Sequence, residues 1–227
     1  MKKAGSIIRF IVIIILLCII GYSGFKIYQT LDKYHDVTVI NEEVRDKYLY
    51  VAEDGFPVVD FDSLRAENPD IVGWIYIPDT NVNFPIVRGS DNDLYLHSDY
   101  LKRYSFAGSI FMDYRCEADF TDHETMIYGH NMHNGDMFGR LKKFEDDEYR
   151  KAHKDVYVLL PTDEYIHYTA KIGHYISVDD DVYILPQHEG KPKTMVLSTC
   201  TDDSSDTERF VLECKYEGRF ESEEDNN

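Results

Sequence analysis

From Ile7 to Phe25 the chain reads IIRFIVIIILLCIIGYSGF, an apolar run carrying one charge. At about 1.5 Å per helical residue, some 19 residues approach the thickness of a bilayer's hydrocarbon layer. Lys2, Lys3 and Arg9 lie at its leading end. The positive-inside rule therefore places residues 1–6 in the cytoplasm, 7–25 across the membrane as a signal-anchor, and the rest outside. A cleaved signal peptide is the alternative, but its best small-residue site, Gly21-Tyr22-Ser23, is not followed by an AxA pattern. Residues 26–55 are polar, charged and loosely amphipathic, and predict a helical stalk. FDSLRAENPD (61–70) predicts a short helix stopped at Pro69.

Beyond residue 70 the pattern shortens to strand-like apolar runs. These are IVGWIYI (71–77), VNFPIV (82–87), GSIFMD (108–113), ETMIYG (124–129), DVYVLL (155–160), EYIHYTAKIGHYIS (164–177), TMVLST (194–199) and RFVLECKY (209–216). Turn signals at Pro78–Asn81, Pro161–Asp163 and Lys191–Lys193 separate several of them. One helical stretch intervenes, DMFGRLKKFEDDEYRKAH (136–153). About eight strands with few helices predict a mainly β domain, a closed barrel or a sandwich, over residues 56–220. Residues 221–227 read as an acidic tail.

The net charge of −18 argues against a nucleic-acid partner, which needs clustered Lys and Arg. The first 26 residues hold four of the 24 basic residues and none of the 42 acidic ones, so the remainder is more acidic still. Cys18 lies in the apolar run. Cys116, Cys200 and Cys214 are odd in number and lack CxxC spacing, which suits neither a disulfide framework nor a zinc site.

Cys200 ends an apolar strand and opens the acidic loop TDDSSDTE (201–208), after which Arg209 begins the next strand. A hairpin would set Cys200 and Arg209 side by side, with the guanidinium available to a developing oxyanion. The plainer alternatives are a buried structural thiol and a surface arginine paired with Asp206 or Glu208. Cys214, within an alternating apolar strand, fits the structural role better. A thiolate also needs a base. Of nine histidines, His130 follows a strand end in MIYGHNMHNGDMFGRL, with His133 its close competitor. An HxxH metal pair is a weaker use of both, since no third ligand is evident. DDD (179–181) lacks the EF-hand pattern of a calcium loop. No metal or cofactor is expected. Asp202, Asp203, Asp206 and Glu208 read either as a solvated loop or as carboxylates that draw in a cationic amine.

LSTC (197–200) followed by Arg209, and YGHNM (128–132) leading into MFGRL (137–141), resemble the sortase family, membrane-anchored cysteine transpeptidases of Gram-positive bacteria. NPDIVGWIYIPDTNVNFPIVRGSDNDLYL (68–96) and GSIFMDYR (108–115) resemble its class B subgroup, and the likeness runs from about residue 60 to 217. The resemblance implies an eight-stranded β-barrel with its active site at the strand mouths. It implies Cys200 as nucleophile, His130 as acid and base, and Arg209 as third catalytic residue, with Ser198, Thr199 and Asn131 beside the substrate. One departure is the connection before the cysteine strand. The class carries a long helical one, whereas VDDDVYILPQHEGKPK (178–193) is short and holds Pro186 and Pro192.

The implied reaction joins a C-terminal sorting motif of secreted proteins, through a thioester, to an amine of the peptidoglycan precursor. A thiol hydrolase or protease is the neighbouring reading. A non-catalytic, membrane-tethered β-domain that binds cell-wall ligands is the reading from another class, and it has no need of Cys200, His130 and Arg209 together.

Overall fold

The computed structural model describes residues 2–53, 55–185, 192–200 and 207–221. The chain divides into two compact units, Met1–Ile40 and Asn41–Asn227. The first unit is helical throughout its described length, as part of helix α1 (Lys2–Tyr48). Among the described residues α1 alone is long and apolar enough to cross a membrane. Its side chains Phe10, Leu17 and Ile20 are exposed, as suits a lipid-facing surface.

The second unit begins with the last turns of α1, followed by the hairpin β1 (Leu49–Val51) and β2 (Pro57–Val59), then helix α2 (Phe61–Glu67). Asp60 caps α2 by accepting from the Ser63 amide at 3.0 Å, and the Asn68 amide closes it onto the Leu64 carbonyl. The polar stretch predicted as a stalk is thus packed in its C-terminal part. Val44 and Tyr48 are buried in one cluster with Phe61, Leu64 and Trp74, and Tyr48 Oη donates to Glu67 at 2.7 Å. The helical period of Val44 and Tyr48 (i, i+4) puts both on one face, which the core covers.

Eight strands close the barrel: β3 (Ile71–Tyr76), β4 (Asn83–Val87), β5 (Ile110–Met112), β6 (Glu124–Tyr128), β7 (Asp155–Leu159), β8 (Glu164–Ser177), β9 (Thr194–Cys200) and β10 (Glu208–Glu221), in the order β10-β8-β7-β3-β4-β5-β6-β9. The strands fall where the apolar runs predict them. β10 runs five residues further than its apolar pattern, because β8 supplies a partner as far as Glu164, with bulges at Glu213/Cys214 and Tyr216/Gly218. Trp74 and Ile75, on opposite faces of β3, are both fully buried, as in a strand covered on two sides. Trp74 Nε1 donates to Asn83 Oδ1 at 2.6 Å.

The helix predicted over 136–153 is instead broken. The Phe138 amide bonds to the His130 carbonyl at 3.0 Å, which draws the first part into a loop. A 3₁₀ turn follows at Leu141–Glu145, and Asp146 then caps a separate helix α3 (Asp147–Ala152), accepting from Tyr149 N at 2.7 Å.

A buried carboxylate ties the loops at one end of the barrel. Asp113, fully buried just after β5, accepts from Arg115 N (3.0 Å), Arg115 Nε and Nη2 (both 2.8 Å), Asn92 Nδ2 (2.9 Å) and Tyr128 Oη (3.0 Å). Burial alone would raise its pKa, but the Arg115 fork and the other donors outweigh it and hold the carboxyl down at about 2. Burial and the neighbouring Asp113 charge push the Tyr128 phenol well above its ordinary range, so it remains a donor.

Two expectations follow from this packing. In β8, a Cβ on Gly173 would lie 2.7 Å from the Phe144 backbone and 2.9 Å from Phe210, so Gly173→Ala lowers unfolding stability by about 1–3 kcal/mol in denaturant titration. Asp113 has a depressed pKa, so its stabilisation is whole above the unfolded carboxylate value of about 4 and fades as pH falls toward 2. In thermal melts the gap between wild type and Asp113→Asn therefore narrows over that window and stays constant from pH 5 to 7.

Candidate active site

Strand β9 is the keystone of the candidate site. It pairs in parallel with β6, setting Ser198 opposite Tyr128, and antiparallel with β10, setting Cys200 opposite Arg209. The first pair of the β10–β8 ladder, Glu208 with Ser177, brings the end of β8 to the same rim. The hairpin geometry read from sequence is thus present: Cys200 and Arg209 are direct cross-strand neighbours. The loop residues 201–206, including Asp202, Asp203 and Asp206, lie outside the described residues, as do Pro186 and the acidic end 222–227.

A cavity of about 270 Å³ opens at this rim. His130, Arg209, Ser198 and Thr199 form its polar side, and Leu96, Ala107, Phe111 and Val178 its apolar wall. His130 and Arg209 are each half-buried, so the imidazole and the guanidinium rest on protein while facing the cavity they line. Arg209 Nη1 donates to the Glu208 carbonyl at 2.8 Å. None of the cavity's lining side chains, among the described residues, is a carboxylate. The wall suits an uncharged or apolar segment, and its polar side suits a carbonyl or amide.

His130 is placed by backbone rather than by a helix. Gly129 N donates to the Ser198 carbonyl at 3.1 Å, which extends the β6–β9 pairing by one residue. A Cβ at Gly129 would fall 2.4 Å from Phe138 and 2.6 Å from Ile110, so only glycine lets the chain pass here. Beyond it, Phe138 N returns to the His130 carbonyl and Asn131 bridges to Met137, while Met132, Met137 and Phe138 anchor the loop by burial. The Phe106 ring meets the His130 imidazole edge-on, 6.4 Å between centroids.

Ser198 Oγ and Tyr183 Oη are hydrogen-bonded at 2.9 Å. Thr199 is 4% exposed, and its Oγ1 has no hydrogen-bond partner among the described residues. Asn131, placed beside the substrate by resemblance, sits in the bridge to Met137 and does not line the cavity. His133, the competing base, is exposed and also off the cavity. Other histidines are engaged elsewhere on the barrel: His167 with Asp155 and His174 with Glu213, each at 2.9 Å. Cys214 is fully buried, its thiol pushed far up by burial, and Cys116 is pushed up to about 12 for the same reason. Both behave as structural cysteines. No group of three or more metal-ligating side chains occurs among the described residues.

Sequence reading missed Asp113, Arg115, Phe106 and Tyr183. The first two carried a signal: an acid directly after an apolar strand, with arginine two residues on, is the spacing of a buried ion pair. Tyr183 did not, because its role depends on a 3₁₀ turn (Asp181–Tyr183) meeting a strand 15 residues away.

The sortase-domain family model matches residues 75–217. The chain is 31% identical over 216 residues to sortase B of Listeria monocytogenes, covering 92% of this chain and 80% of that relative. It is 27% identical over 240 residues to sortase B of Staphylococcus aureus, covering 93% and 96%. Its fold superposes on the crystal structure of sortase B from B. anthracis with a TM-score of 0.64 at 27% identity, over 82% of this chain and 98% of that one. Barrel topology, rim geometry and these matches converge, and the chain belongs to the sortase family, in its sortase B group.

Proposed function

We propose that this chain is an envelope transpeptidase in which Cys200, His130 and Arg209 carry the chemistry. The observation that supports this most directly is the register of β9 on β10, which pairs Cys200 with Arg209 at the rim whose cavity His130 lines. The Cys200 thiolate attacks a backbone carbonyl carbon in the C-terminal sorting motif of a secreted protein. Arg209 donates to the oxyanion that forms. The C–N bond then breaks as His130 gives its proton to the leaving amine, and a thioester remains on Cys200. An amine of the peptidoglycan precursor attacks that thioester, passes its proton to His130 and displaces the thiolate. Water replaces the amine in a slower hydrolytic branch.

Thr199 Oγ1, buried at the cavity with no partner among the described residues, supports a hydrogen bond to the substrate backbone, and Ser198 shapes the groove beside it. The low-charge wall of the cavity suits an extended peptide. Residues 7–25 span the membrane once with residues 1–6 inside, so the barrel works outside the cell, where secreted proteins and wall precursors emerge.

The test uses the full chain in detergent. A methanethiosulfonate reagent, with mass spectrometry to locate the adduct, labels Cys200 in the native protein and leaves Cys116 and Cys214 unlabelled. Loss of His130 changes the pH profile of that labelling. With a pooled library of quenched fluorescent peptides and hydroxylamine as acceptor, Cys200→Ala abolishes turnover. His130→Ala lowers it by about 10²–10⁴-fold. Arg209→Ala lowers it by about 10²–10³-fold. Labelling of Cys200 only after unfolding would instead mark a structural thiol and a binding domain.

Gly129→Ala offers a second check. The added Cβ displaces the chain just before His130, so peptide turnover falls at least about tenfold in a protein that keeps its β-sheet circular dichroism.

A further inference from the structure

Three segments distant in sequence supply walls of the cavity: the end of β6 at Tyr128, the long β4–β5 connection at Tyr95 and Leu96, and the β8–β9 connection at Val178 and Tyr183. None of these three is held against the others by strand pairing alone. Each is tied, directly or through one side chain, to Asp113. Tyr128 Oη and Asn92 Nδ2 donate to its Oδ2. Arg115 grips both carboxylate oxygens, and its Nη1 reaches the Tyr183 carbonyl at 3.4 Å. Tyr183 in turn clasps Ser198 on the strand that ends at Cys200.

The turn that carries this carboxylate is itself fixed from both sides. Asp113 N donates to the Met126 carbonyl and Cys116 N to the Asp113 carbonyl, so the turn continues the β5–β6 sheet edge. Arg88 Nη2 and Nε donate to the Tyr114 and Cys116 carbonyls, at 2.7 Å each. Asn92 Oδ1 takes the Tyr114 amide at 3.1 Å. The Tyr114 ring lies against the Arg115 guanidinium, 6.0 Å from its centroid.

We propose that Asp113 is a positioning residue for the reaction: a single buried anion that sets the spacing of the three cavity walls and, through Arg115 and Tyr183, seats the β8–β9 connection against the nucleophile strand. It rests on the transpeptidase reading above and adds the element that holds the peptide site in shape. A carboxylate is required because all five contacts are donors. Oδ1 receives two and Oδ2 three, so an asparagine in either orientation sets its own NH₂ against at least two donors. The β8–β9 connection has one 3₁₀ turn among its described residues, and Arg115 supplies that turn with a fixed point.

The experiment compares the full chain in detergent with Asp113→Asn, Arg115→Gln and Tyr183→Phe, using two kinds of readout. Amide exchange followed by mass spectrometry is expected to accelerate over residues 178–185 in Asp113→Asn and Arg115→Gln, with β3, β7 and β8 protected as in wild type. On the best peptide recovered from the library, KM is expected to rise about tenfold or more, the loss of charge-assisted bonds, while kcat and the methanethiosulfonate labelling rate of Cys200 stay near wild type. Tyr183→Phe is expected to raise KM less and to leave exchange at residues 110–128 unchanged. Wild-type exchange over 178–185 together with wild-type KM overturns the proposal. So does a loss of protection across the whole barrel with kcat, KM and labelling falling together, which marks Asp113 as structural only. If Asp113→Asn does not fold, Arg115, one-third exposed, and the half-buried Tyr183 carry the same comparison. A wild-type protein that turns over no library peptide counts against the transpeptidase reading, and the exchange comparison still decides whether Asp113 holds the β8–β9 connection.

Discussion

The insertion of β9 between β6 and β10 is the constraint on which the rest of the site depends. One parallel and one antiparallel ladder meet on this strand, and together they close the barrel. Their registers fix which residues arrive together at the rim. Tyr128 opposite Ser198 places the Gly129–His130 step beside the strand, and Arg209 opposite Cys200 places the guanidinium across from the thiol-bearing residue. A slip of one residue would turn every side chain on β9 to the opposite face and undo the pairing of Ser198 with Tyr128 and of Cys200 with Arg209.

Around this strand the molecule uses two different kinds of interaction. The barrel is held by apolar burial, with Trp74, Ile75, Phe210 and Leu212 all removed from water. The rim cannot be built that way, because a cavity must stay open and its walls are loops whose polar backbone needs partners. A fully buried carboxylate with five donors solves that problem locally. Such an ion contributes little net stability relative to an apolar core, yet breaking it is costly, which gives it directional hold rather than bulk adhesion.

The barrel was legible in the sequence because its strands are short apolar runs punctuated by turn residues, and β8 is matched end to end. The Cys200–Arg209 pairing was legible because both residues sit at the inner ends of strands joined by a short loop. His130 was legible as a candidate by its place after a strand but needed the resemblance to stand above His133, which the structure leaves exposed. The helix over 136–153 was misread because the pattern of apolar residues there serves a loop: Met137 and Phe138 are buried to anchor His130, not to form a helix face. The packed end of α1 and the β1–β2 hairpin were hidden for a related reason. Val44 and Tyr48 are too few to mark a buried face until Phe61 and Trp74 are seen against them. Arg115 lies two residues from Asp113, but the hub stayed hidden because its other donors come from residues 92 and 128, which no local pattern links to it.

The topology also sets an order of assembly. Strands β3 to β8 lie earlier in the chain, yet β6 lacks its second neighbour until residues 194–200 arrive, and β9 lacks its own until residues 208–215 follow. During synthesis from the N-terminus, the sheet therefore waits as an open, unpaired edge, and the ladders completed last, those of β10 with β8 and β9, include the one that carries Cys200. Cys200 and the closing seam of the barrel lie on the same strand. Such a chain acquires its chemistry only at the moment its fold is finished, and a polypeptide cut short before β10 would have an incomplete barrel and no site at all.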